Sequence, residues 1–281
     1  MPLPETFRFT QQSLQDYVEC QRRFQLRHLL MQPWPALVTG APGEYERMVE
    51  RGADLHRLAH QHALGFDVER IEATIDDDEL RAWWRTFVAH PPAGVPDAER
   101  RAEVVLSAPM PHAGDSPATH RVVAKIDLLA AEPGERVVVV DWKTVRRRPG
   151  RDELGLRLQT RVYRYLAVEA GALVNGGTRP EPEQVEMIYW FAAHEGHVER
   201  FGYDAAQHAA DRDYLAALAA QTAARRDAVW PLTDDESRCR LCNYRSLCER
   251  DVEPAFPDEL PDDVEVEAVV VDLEQVAEIE F

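Results

Sequence analysis

Of the 32 basic residues in this 281-residue chain, only Lys125 and Lys143 are lysine; all the others are arginine. Each lysine stands two residues from an aspartate in a strand-like run. One run is Val122-Val123-Ala124-Lys125-Ile126-Asp127, and the other is Val137-Val138-Val139-Val140-Asp141-Trp142-Lys143. A guanidinium is a planar fork that suits a bidentate partner, whereas an ammonium is a point charge that can serve a single oxygen or water. An apolar strand ending in Asp-x-Lys can offer a carboxylate to a divalent cation with a charge-stabilising ammonium beside it. That arrangement suits metal-assisted hydrolysis of a phosphodiester. Two buried salt bridges are the alternative that these residues leave open.

The four cysteines form a second constellation: Cys20 alone near the N-terminus, then Cys239-x2-Cys242-x5-Cys248. The C-x2-C spacing can put two thiolates on one metal centre, and a third six residues on can close the same face. Four thiolates suit a zinc ion or a [4Fe–4S] cluster. Zinc more often takes two local pairs than a one-plus-three division, so the spacing leans toward the cluster. Zinc, or cysteines without a metal, stays open. Either metal would clip the two chain ends together.

Hydrophobic residues at 45% and charged residues at 29% describe an ordinary globular chain. No apolar run approaches the ~20 residues of a membrane span. The start, Met1-Pro2-Leu3-Pro4-Glu5, lacks the basic and apolar regions of a signal peptide, so a cytoplasmic protein is expected, with cysteines that bind metal rather than pair. The net charge of −18 argues at first against a nucleic-acid partner, but 12 acidic and no basic residues fall between Asp251 and Phe281. Residues 1–250 therefore carry only −6, and segment 141–165 carries +5, including Arg146, Arg147 and Arg161. Local charge decides where a phosphate backbone can lie; a solvated helix face is the plain alternative.

Apolar spacing predicts a helix over 10–30, capped by Thr10 and ended by Pro33 and Pro35, with further helices over 44–64 and 78–90. Strands are expected at 102–108, 119–130 and 135–142, with turns at Gly114-Asp115 and Pro133-Gly134. A helix over 153–171, a hairpin of 184–193 and 197–202 around Glu195-Gly196, an alanine-rich helix over 204–228 and a short cysteine-bearing segment at 238–249 complete the order. Helices, three strands, helix, strand pair and helix make an α/β domain with a small central mixed sheet flanked by helices. The expected division is a domain over 1–250 and an acidic tail over 251–281. In the tail, Val264–Phe281 mixes valines with acids and reads as disordered or as a strand for a partner.

Taken in order, these motifs resemble the PD-(D/E)XK nuclease superfamily, in particular its RecB-like iron–sulfur branch, which includes AddB-type and CRISPR-associated nucleases. The resemblance covers nearly all of residues 7–250. It is carried by Leu14-x2-Tyr17-x2-Cys20-x3-Phe24, Gly52-x3-His56, Ile126-Asp127, Asp141-Trp142-Lys143, Gln159-x3-Tyr163 and the three C-terminal cysteines. Each motif alone is weak, and their shared order makes the likeness strong. Gln21 stands where that branch usually has proline, and Ala124 where it usually has glycine.

The resemblance implies a restriction-endonuclease-like core whose N- and C-terminal segments are joined by a cluster on Cys20, Cys239, Cys242 and Cys248. It implies Asp127, Asp141 and Lys143 as catalytic residues. It further implies a Mg2+ or Mn2+ ion held by His56, Asp127, Asp141 and the Trp142 carbonyl, and a motif at Gln159 and Tyr163 that handles DNA. Arg146, Arg147 and Arg161 would add phosphate contacts. The expected activity is a DNA nuclease acting on ends or single strands in repair, recombination or CRISPR-type processing, and a non-catalytic DNA-binding module is the alternative. The chain has no Walker A sequence, so a helicase would be a separate partner.

Taken singly, several of these residues have plainer explanations. A lone helical histidine such as His56, which has His60 and His62 nearby, is more often a surface or core residue than a ligand. Trp83-Trp84 reads as core, and Glu103 as structural with a possible part in the metal site.

Overall fold

The structure, a computed structural model, describes residues 3–32, 42–112, 120–240, 242–250 and 252–253. The turn expected at Gly114-Asp115 and the segment Val264–Phe281 lie outside the described residues. Among them no helix is long and apolar enough to cross a membrane.

Six strands form one mixed sheet: β1 (Arg8–Phe9), β2 (Glu99–Pro109), β3 (Arg121–Glu132), β4 (Arg136–Lys143), β5 (Val185–Phe191) and β6 (His197–Gly202). Val137–Val140 are wholly buried, as a central strand covered on both faces requires. Val137 and Val139 face one core with Met187 and Tyr189, while Val138 and Val140 face a second with Ile188 and Trp190. The first core is covered by α1 (Gln11–Glu19) and α7 (Leu158–Ala170), with α8 (Ala205–Ala224) behind them. The second is covered by α3 (Pro42–Ala63), α4 (Val68–Glu72) and α5 (Asp78–Ala89). The result is a helix–sheet–helix sandwich.

The sheet is widest at β3, which pairs with three strands. β2 runs antiparallel along most of one edge. The opposite edge is divided, with β1 taking Arg121 and Val122 and β4 taking Leu128–Glu132. Between them lies a stretch of β3 edge that contains Lys125 and Asp127.

Two helices predicted as continuous are broken. The first stops at Glu19; Cys20 is extended (φ −158°, ψ 106°), and the chain resumes as α2 (Gln21–Phe24) and a wider π-helical turn over Gln25–Leu29. The break lets the chain fold back on Asp16, which is buried and pairs with Arg23 (2.6 Å), His28 (2.8 Å) and Arg27 (3.4 Å). Apolar spacing cannot show this, because the charged residues decide it. The second predicted helix is α6 (Arg151–Leu156) and α7, separated by Arg157 in an extended conformation. The alanine-rich helix stops at Ala224, four residues early, and the short β1 carries no periodic signal.

Burial alone would raise the Asp16 carboxyl, but the His28 hydrogen bond and the Arg23 and Arg27 charges outweigh it and bring the pKa down from 3.8 to about 2. Asp16 ionises more readily in the folded chain than in the unfolded one. Its stabilisation is therefore complete above about pH 4 and is lost as pH falls toward 2, a contribution of about 2 kcal/mol. Asp16→Asn is expected to cost at least that much at pH 7 and to approach the wild-type value near pH 2. Denaturant melts of both proteins across that range check it, and a constant difference would show that the charge is not the source.

Candidate active site

The antiparallel ladder between β3 and β4 ends at Leu128↔Val140. Continued by one residue, it would set Asp127 opposite Asp141. Instead the strands part, and the Asp127 carboxylate (Oδ2) accepts the Trp142 backbone N–H at 2.8 Å. β4 remains paired to β5 on its other side as far as Lys143↔Phe191, so Asp141-Trp142-Lys143 is held rigidly while its β3 side opens into a fork. Core-facing also changes at this point. Ile126 lines the first core, Leu128 the second and Leu129 the first again.

Three ligand-type side chains meet at the fork. Atoms of His56, Glu103 and Asp127 all lie within 4.8 Å of one another, a donor set of carboxylate oxygens and imidazole that suits a hard divalent cation. His56 comes from α3, and its Nδ1 lies 3.0 Å from Asp127 Oδ1. Gly52, one turn earlier, lets α3 approach the end of β4, since a Cβ there would lie 3.2 Å from the Thr144 hydroxyl. Burial opposes a charge on His56, but Asp127 beside it, with Asp141 and Glu103 nearby, raises its pKa to about 9. Asp127 moves the opposite way. Burial alone would raise it, yet the His56 charge, its hydrogen bonds and the Lys143 charge hold it below the ordinary carboxylate range.

Glu103, which the sequence alone marks as structural with a part in the metal site left open, belongs to this group. Its backbone sits at φ 54°, in the left-handed region that glutamate seldom adopts. The signal available in the sequence is a lone acid inside the apolar run Ala102-Glu103-Val104-Val105.

Asp141, expected as a ligand of the cation, lies beside this group, near enough for its charge to act on His56. It is buried, it accepts a hydrogen bond from Gln159 Nε2 at 2.9 Å, and its Oδ2 lies 2.9 Å from Lys143 Nζ. It stands outside the His56–Glu103–Asp127 group. Lys143 is also buried, with its ammonium 5.5 Å from the centre of the Tyr189 ring. Trp142 packs its ring against Phe87 and Trp190 in the second core.

Gln159 and Tyr163 have different contacts from those expected. Both are buried on α7, where Gln159 orients Asp141 and the Tyr163 hydroxyl donates to the Lys125 carbonyl at 3.1 Å, filling the exposed edge of β3. Both contacts brace the two strands of the fork from within the protein. Arg161 is tied to Asp211 at 2.9 Å and lies over the Tyr214 ring. Arg146, 3.7 Å from Glu79, and Arg147 are exposed on the loop that leaves Lys143. Trp83 and Trp84 are core.

No disulfide joins the four cysteines. Cys20 lies at the α1–α2 break, Cys239 and Cys248 end two 3-10 turns (Glu236–Cys239 and Arg245–Cys248), and Cys242 lies between them. Burial raises the Cys242 thiol to about 11, with Cys20 and Cys248 adding to the effect; Cys248 is raised by burial and by Cys20 and Cys239. The four sulfurs are thus near enough for their charges to interact. Protein contacts also join the two ends. Gln25 donates to the Ala228 carbonyl and accepts the Trp230 N–H, both at 2.9 Å, and the Trp230 ring stacks on Phe24. Arg238 pairs with Glu19 at 2.7 Å.

No curated protein matches the chain at a significant level. Among solved structures, a proposed exonuclease from Eubacterium rectale is similar over 88% of this chain and 90% of its own, with 9% identity and a TM-score of 0.50. The crystal structure of SSO0001 matches over 92% and 90% with 13% identity, at a TM-score of 0.41. At 9% identity the likeness to the first of these concerns the fold alone. The family assignment comes from the sequence: residues 8–249 match the model of one nuclease superfamily, a span that begins at β1 and takes in the whole fork, α7 and the last cysteine. The chain therefore belongs to the PD-(D/E)XK nuclease superfamily.

Proposed function

We propose that this protein is a Mg2+- or Mn2+-dependent deoxyribonuclease that cuts DNA at ends or in single strands. The observation that carries the reading is the meeting of His56, Glu103 and Asp127 within 4.8 Å, beside a buried Asp141–Lys143 pair. A divalent cation at this point would lower the pKa of a bound water and polarise a phosphodiester oxygen. Asp127 supplies an oxygen held in place by the Trp142 N–H. His56 supplies a nitrogen, and the α3–β4 contact at Gly52 fixes its approach. Lys143, desolvated and oriented by Asp141, puts a fixed positive charge where negative charge grows on the phosphorus oxygens. Such a pre-set charge contributes more in a dry site than in water. Asp141 serves first as the partner that sets Lys143, with Gln159 behind it, and as a further oxygen for the cation. Arg146 and Arg147, exposed on the loop after Lys143, would contact phosphates of the substrate.

We also infer that Cys20, Cys239, Cys242 and Cys248 hold a [4Fe–4S] cluster, with zinc as the alternative. The spacing of the four cysteines, and the mutual influence of their thiols, support a shared metal centre, which would hold them as thiolates. Arg22, Arg23 and Arg250 surround them, and Arg250 reaches Cys239 Sγ at 3.7 Å. The setting is cytoplasmic DNA repair, recombination or CRISPR-type processing, in which a helicase would be a working partner.

Lys143→Ala is expected to reduce cleavage by about two to three orders of magnitude, with Mn2+ affinity retained. Lys143→Arg should be severely impaired as well, because the fork cannot take the place of one ammonium between Asp141 and the Tyr189 ring. Single-turnover cleavage with calorimetric metal titration tests this; near-wild-type rates in Lys143→Arg would remove the assigned role. For the cluster, anaerobic iron and sulfide analysis should find about four of each per chain. Cys242→Ser should lose the iron and melt earlier, yet stay folded through the Gln25, Trp230 and Glu19–Arg238 contacts. One zinc and no iron would refute the cluster.

A further inference from the structure

Lys125, the second lysine, has no part in the reaction described above. β2 and β3 pair Ala102↔Leu128, Val104↔Ile126 and Val105↔Lys125, so Glu103 faces Asp127 across the ladder with Lys125 two residues further along. The Lys125 ammonium is in direct ion-pair contact with the Glu103 carboxylate. The two partners differ in exposure: the Glu103 side chain is 16% exposed and that of Lys125 39%. The acid is set into the site, and the base reaches over it from the mouth. Glu103 also holds its left-handed backbone, a strained conformation of the kind that persists where the surrounding structure enforces it and that clusters at functional sites.

We propose that Lys125 stands in for the divalent cation: its ammonium neutralises Glu103 when no metal is bound, then yields Glu103 to the metal and moves to a phosphate oxygen of the nucleic acid. This rests on the metal-nuclease reading of the site. The chemistry of the pair supports it. Glu103 lies within reach of both His56 and Asp127, so an unneutralised carboxylate there would add a third charge to a site that is partly dry. A half-exposed ion pair is weak and is exchanged at little cost. An ammonium on a flexible four-carbon stem can leave one oxygen for another, whereas an arginine fork would hold Glu103 at two points and release it poorly.

The test is Mn2+ titration by calorimetry on the full chain, with folding checked by circular dichroism. Lys125→Met keeps the stem and removes the competing charge, so it should tighten Mn2+ roughly three- to fivefold. Lys125→Arg, which keeps charge and fold, should weaken Mn2+. Glu103→Gln should weaken Mn2+ by roughly tenfold or more, and in that background Lys125→Met should have no further effect. With calcium as the cation, Lys125→Met should also bind a single-stranded oligonucleotide more weakly, with a salt slope shallower by about one. Unchanged or weakened Mn2+ binding in Lys125→Met would overturn the proposal and leave the pair as a brace between β2 and β3. The metal readout does not depend on hydrolysis. A wild-type protein that binds Mn2+ and cuts nothing would count against the nuclease reading alone, and one that binds no Mn2+ would end both.

Discussion

The site depends on one substitution in the sheet: a side-chain carboxylate takes the place of a ladder hydrogen bond. Two neighbouring strands cannot stay fully paired and still leave room for a cation between them. Parting them exposes backbone donors, and a buried donor without a partner costs about 1–3 kcal/mol. Asp127 removes that cost by accepting the Trp142 N–H, and its other oxygen remains directed at His56. β4 is not loosened by the parting, because β5 holds it as far as Lys143. Tyr163 does the corresponding work on β3 by capping the Lys125 carbonyl. The fork is thus an opening with satisfied edges, set where the interior of β3 is partly exposed at Lys125 and Asp127.

Charge balance follows from that opening. Three carboxylates converge on the fork, and each has its own cation: Lys125 for Glu103, His56 for Asp127 and Lys143 for Asp141. Desolvating even one unpaired carboxylate would cost several kcal/mol. The pairs differ in burial, and burial separates their uses. Lys143 is enclosed and fixed, which suits a charge that must already be in place when the reaction begins. Lys125 is at the mouth and His56 is one-third exposed, which suits groups that give way to an incoming cation.

The chain ends follow a similar logic at a distance from the fork. The break at Cys20 turns the chain back around buried Asp16, and the same turn brings Gln25 and Phe24 against Ala228 and Trp230. The cysteine-bearing turns thereby lie over the start of α2. α1 also packs on α7, the helix that carries Gln159 and Tyr163, so the clip on the chain ends supports the helix that braces the fork.

Much of this was legible in the sequence. The order of helices and strands, the Pro133-Gly134 turn, the buried Val137–Val140 strand and the special status of two lysines in an arginine-rich chain follow from local composition and period. The Asp-x-Lys at the end of an apolar strand marked Asp141 and Lys143 as candidates, and the order of the motifs, rather than local pattern, added His56 and Asp127. What the tertiary structure alone decided is which of these groups share a point in space. Glu103 joined His56 and Asp127 because β2 and β3 pair in a register that no local pattern specifies. Asp141 turned to Lys143, and Gln159 and Tyr163 turned inward, because α7 covers that face of the sheet. The helix break at Cys20 turns on charged partners of Asp16 that apolar periodicity does not report, and the break at Arg157 carries no signal in that periodicity either. Sequence period reports which face a residue occupies along its own element, whereas a site is made of distances between elements, and those are set by strand register and packing.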